Sequence, residues 1–131
     1  MGEVLLADIL TLAPDEPVRL DRDRLSGLYL DLGRTAAEDV ICRAVEELAA
    51  RLGQCESHWR GADWPALGKC ARSLVAISDQ LGMALLARVA GDLATAATAE
   101  DGPAADAVLF RLVRVGDRSL TAVWDLRDLS V

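Results

Sequence analysis

The chain has 131 residues, of which 52% are hydrophobic and only 4% aromatic, and it carries a formal net charge of -7 from 21 acidic and 14 basic residues. That length suits one domain with a single core, and an apolar set dominated by Ala, Leu and Val favours helices over an aromatic-rich sheet. The acidic balance argues against a nucleic-acid or anionic-membrane partner, since both call for a basic patch, and no apolar run approaches the roughly 20 residues that span a bilayer.

Residues 1–20 form a separate apolar piece. Val4, Leu5, Leu6, Ile9, Leu10 and Leu12 suit a short helix or strand that Pro14 and Pro17 end, and this piece is expected to pack on the rest of the chain or on a partner. With Glu3 and Asp8 and no basic stretch, the N-terminus does not read as a signal peptide, so a cytoplasmic location is expected.

The remaining residues, 21–131, read as one helical domain. Asp21 can cap a short helix running to residue 30, with Gly33 marking its end. A long helix follows over about 36–59. Ile41, Val45, Leu48, Leu52, Cys55 and Trp59 recur at steps of four and three and make one apolar stripe, with Glu46, Glu47, Arg51 and Glu56 off it. After the Gly61-Ala62 turn, Asp63 is a good N-cap and Pro65 stands in the first turn, where its missing N–H costs nothing.

The helix so begun runs to about residue 81, with Leu67, Cys70, Ala71, Leu74, Ile77 and Leu81 inward and Lys69, Arg72, Ser73, Ala76, Asp79 and Gln80 outward. Gly82 breaks it. A further helix spans about 83–97, with Leu86, Val89, Ala90 and Leu93 inside, and residues 98–102 form a polar loop. Pro103 opens the last helix, which reaches about residue 126 through Leu109, Leu112, Val123 and Trp124. Four amphipathic helices with short connections describe an all-α, antiparallel four-helix bundle. Cys42, Cys55 and Cys70 are odd in number, irregular in spacing and on apolar faces, which suits reduced core residues.

Residues 61–82, GADWPALGKCARSLVAISDQLG, resemble the signature region of histidine-phosphotransfer (HPt) domains. That family has a Gly-Asp-Trp-like turn, a helix reading roughly Ala-His-x-Leu-Lys-Gly, and a Leu-Gly pair at the start of the next helix. Asp63-Trp64 matches the turn, Ala71 and Leu74 the apolar flanks, and Leu81-Gly82 the end; with the long helices on either side, the resemblance covers about residues 21–127.

The departures from the family pattern fall on its chemistry. The phosphorylated His of the family aligns with Arg72, its Lys with Val75 and its Gly with Ala76. The family relays phosphate through an imidazole nitrogen that attacks an aspartyl phosphate on a receiver domain. A guanidinium stays protonated and has no lone pair to attack with. Ala76 still keeps the surface small one turn beyond Arg72. The resemblance therefore implies a non-catalytic member of bacterial two-component signalling. Such a protein binds a response-regulator receiver domain or a histidine kinase through Lys69, Arg72, Ser73, Val75, Ala76 and Asp79. Without the resemblance, the charged members of that set read as an ordinary solvated helix face.

His58, the only histidine, belongs to the end of the first long helix, about 12 Å along the axis from the level of Arg72. There it favours the helix dipole and does not replace the missing phosphoacceptor. Cys55 and His58 have the spacing of half a zinc site and Cys70 could add a third ligand, but no motif completes it, and no metal is expected. No nucleophile turn and no glycine-rich phosphate loop occurs, so neither enzymatic activity nor a cofactor is expected. The alternative to the signalling role is a structural bundle that dimerises or scaffolds through the N-terminal piece or through exposed Trp residues.

Overall fold

The computed structural model describes residues 18–129. The apolar piece at 4–12 and the two prolines after it lie outside the described residues, as does the side chain of Trp124. The described chain forms five helices and no strand: α1 (Arg22–Leu32), α2 (Arg34–Arg60), α3 (Trp64–Gln80), α4 (Ala84–Thr98) and α5 (Gly102–Leu129). None of these helices is long and apolar enough to cross a membrane.

The boundaries follow from local chemistry. Asp21 accepts a hydrogen bond from the Arg24 N–H at 3.2 Å and starts α1. Gly33, at φ +80°, ends α1 and donates its own N–H to the Tyr29 carbonyl, a left-handed backbone that glycine adopts without a Cβ penalty. Asp63 caps α3 through the Ala66 N–H at 3.1 Å, with Pro65 in the first turn. Asp101 does the same for α5 through the Ala104 N–H at 3.2 Å.

The core is built from the inward stripes of α2 to α5. On α2, Ile41, Val45, Leu48, Leu52 and Cys55 are buried as their spacing predicts, while Trp59 is half-buried and Cys42 lies on the flank of the stripe. On α4, Leu86, Val89, Ala90 and Leu93 are buried, and α5 contributes Leu109, Leu112, Val115 and Val123. Each fully buried leucine contributes about 2 kcal/mol of apolar burial. Helix α3 packs most extensively on α4 and also on α2; α5 closes against α4 and α2. A Cβ on Gly68, early in α3, would stand 3.6 Å from the Ala97 Cβ, late in α4, so these two helices run in opposite directions.

Two expectations need correction. The expected bundle counts four long amphipathic helices, and five helices are found because the short helix that Asp21 is expected to cap also forms. The fifth, α1, buries only Leu25 fully, with Leu28 and Tyr29 half-buried, and packs along α2. On α3, Ser78 is buried, and Ile77, which the spacing places inward, is half-buried against the core. The inward register runs 67, 71, 74, 78, 81 in steps of four and three, so position 77 falls on its flank whatever its hydrophobicity.

The segment leading into α1 is tied to the α3–α4 turn. Leu20 forms an isolated antiparallel bridge with Met83, and the Asp21 N–H donates to the Gly82 carbonyl at 2.8 Å. Gly82 has φ +72°, and a Cβ there would meet the Asp21 Cβ and carbonyl oxygen at 2.9 Å. Only glycine fits this crossing.

Candidate functional site

Helix α3 presents its outward face between the turns that flank it. Lys69, Arg72, Ala76 and Asp79 are exposed and follow one another at steps of three, four and three, so they form a single stripe along the helix. Ser73 and Val75 are half-buried. The Ser73 hydroxyl donates to the Lys69 carbonyl at 3.1 Å, which occupies its donor within the helix, and Val75 packs against the core. The structure therefore brings four of the six predicted residues to one exposed stripe, while the other two border it.

Arg72 lies back along its own helix toward the N-terminus, as helical side chains do. Its Nη1 stands 3.3 Å from the place a Gly68 Cβ would take. It lines a cleft of about 260 Å³ with Trp64, Pro65, Gly68, Ala97, Thr98 and Glu100. The Glu100 carboxylate shares this cleft, yet Arg72 makes no ion pair among the described residues. An exposed guanidinium with no ion pair among the described residues, beside a small-residue notch, can grip a carboxylate or phosphate with two parallel N–H bonds.

His58 is half-buried in the last turn of α2 and does not line the cleft around Arg72. Its carbonyl accepts the Asp63 N–H at 3.0 Å across the α2–α3 turn. The same turn holds Trp59 against Trp64 edge to face, with ring centroids 5.4 Å apart, so these two rings pack on each other and are half-buried. Among the described residues, no group of three or more His, Cys, Asp or Glu side chains is placed to hold a metal ion.

Two features escaped the sequence. Cys55 and Cys70 are both buried, and the Cys55 thiol donates to the Cys70 sulfur at 3.1 Å; Cys70 in turn donates to the Arg51 carbonyl at 3.3 Å. Burial, together with the thiol hydrogen bond to Cys70, holds the Cys55 thiol far above its ordinary range. The second feature is a groove of about 480 Å³ between α2 and α5, bordered by Trp59, Leu109, Phe110, Val113 and Arg114. Phe110 is 67% exposed at its edge, with the Arg114 guanidinium 5.7 Å from its ring centroid. Neither feature has a signature in linear spacing, because each depends on which faces of two helices meet.

No family model, curated protein or solved structure matches this chain.

Proposed function

We propose that this chain is an HPt-like signalling protein that binds a receiver domain, or the histidine kinase that feeds one, without relaying phosphate. The observation that carries this reading is the placement of Arg72. It is exposed, it makes no ion pair among the described residues, and it occupies the position at which the resembled family carries its phosphoacceptor histidine. Ala76, exposed one turn further on, leaves room for a partner to approach closely.

In this reading α2 to α5 form the family's antiparallel four-helix bundle, with α1 as an appendage. Its supports are the short turns between successive helices, the opposed directions of α3 and α4, and the closure of α5 on α2. The partner is a receiver domain of bacterial two-component signalling in the cytoplasm. The cationic Arg72 enters the acidic pocket of that domain, where a true phosphotransfer protein would place an imidazole. The complex is held by charge and shape, and no phosphoryl group moves because the guanidinium cannot attack phosphorus.

A second reading rests on the α2–α5 groove. An exposed phenylalanine bordering an apolar cleft suits self-association or scaffolding. Mapping amide chemical shifts of the labelled protein as receiver domains are added separates the two. The signalling reading expects perturbations centred on residues 69–79. Perturbations confined to 106–117, or none with any receiver domain, would reject it.

A further inference from the structure

We propose that Cys55 and Cys70 are a redox modification site, which a peroxide closes into an intramolecular disulfide linking α2 to α3. The inference is independent of the signalling role. The two sulfurs stand 3.1 Å apart, and a disulfide bond needs about 2.05 Å, so closure asks for about 1 Å of approach. Both thiols already face each other, because Cys55 donates to Cys70 and Cys70 is anchored on the Arg51 carbonyl. No other thiol competes: Cys42 is on the same helix as Cys55 but thirteen positions earlier, about 20 Å along the axis.

Burial selects the oxidant. Both residues are almost without solvent exposure, which bars a bulky disulfide such as oxidised glutathione, so the oxidant in this proposal is a molecule as small as hydrogen peroxide. One thiol attacks a peroxide oxygen, breaking the O–O bond; the sulfur becomes a sulfenic acid and water leaves. The second thiol then attacks that sulfur, the S–O bond breaks, and a second water carries away the remaining protons. In all, two thiols are oxidised to one disulfide and one peroxide is reduced to two waters. The raised pKa of Cys55 keeps that thiol protonated and slow to react at neutral pH.

The product closes the chain from 55 to 70 around the α2–α3 turn and fixes the start of α3, directly beneath Lys69 and Arg72, against α2. The test uses the full reduced chain, treated with hydrogen peroxide, then unfolded, alkylated and digested with trypsin. Cleavage at the basic residues separates all three cysteines: TAAEDVICR holds Cys42, LGQCESHWR holds Cys55 and CAR holds Cys70. The expected result is a linked LGQCESHWR–CAR peptide lacking two hydrogens, alkylation at Cys42 alone, and recovery of all three thiols with dithiothreitol. Three alkylated cysteines after peroxide, a bridge that includes Cys42 or a second chain, or sulfinic acid at Cys55 or Cys70 in place of the bridge would each overturn the proposal.

Discussion

The Arg72 guanidinium lies over Gly68, with Nη1 3.3 Å from the position a Gly68 Cβ would occupy. One turn of helix separates the two residues, and the missing side chain of the first makes the resting place of the second. Gly68→Ala would push the guanidinium away by a few tenths of an ångström. Replacing a helical glycine by alanine also favours the helix by about 0.5–1 kcal/mol, so thermal stability should hold or rise. Receiver binding should weaken several-fold. A variant that is as stable and binds as tightly as the parent would show that the posture of Arg72 does not matter.

Gly82→Ala, at a buried turn position, should be among the most damaging substitutions. It forces a non-glycine residue to φ +72° and drives a Cβ within 2.9 Å of the Asp21 carbonyl oxygen. The expected loss is about 2–4 kcal/mol, from left-handed strain and overpacking together. Chemical denaturation measures it directly, and a loss below about 0.5 kcal/mol would mean that the Asp21–Gly82 crossing contributes little to the fold.

Asp63→Ala removes the N-cap of α3 and should cost about 1 kcal/mol. Because the cap sits at the start of the helix that bears Arg72, hydrogen exchange should accelerate in the first turn of α3 and not in α5. Uniform acceleration across the chain would place the effect in global stability alone.

Stability should fall at alkaline pH in the reduced protein. Burial raises the Cys55 pKa in the folded state, whereas the unfolded chain releases that proton near its ordinary value of about 8.5. Below that value both states hold the proton and the contribution is fully present. Above it the unfolded state binds fewer protons, so stability is lost as pH rises, at up to about 1.4 kcal/mol per pH unit. Denaturation midpoints between pH 8 and 10.5 should show this slope, reduced in Cys55→Ala. An identical slope in that variant would assign the effect to other groups.

Much of the scaffold is written in short-range pattern. The α2 stripe of Ile41, Val45, Leu48, Leu52 and Cys55 follows from helical spacing, and Asp21 and Asp63 act as the caps their residue type suggests. Asp101 lies in a stretch that reads as a polar loop, yet an aspartate just before Gly102-Pro103 carries the same capping signal. Ser78 is buried because register, and not polarity, sets which side of α3 faces the core. The exposed stripe of α3 is legible from the same periodicity that buries Leu67 and Leu74. The fold-back of Arg72 over Gly68, the Cys55–Cys70 contact and the Phe110 groove are not. Each requires knowing how far two helices, or two turns, are offset along each other, and that offset is set by packing across the whole core.

The most direct test of the signalling role is a binding titration of the chain and of Arg72→Glu against receiver domains, phosphorylated and unphosphorylated. Arg72 is exposed and without an ion pair among the described residues, so the substitution should leave the fold intact. The expected result is saturable binding of the parent to one or a few receiver domains, weakened at least thirtyfold in the variant, equivalent to about 2 kcal/mol. Equal affinity of the two proteins, or no binding of the parent to any receiver domain, would contradict the account.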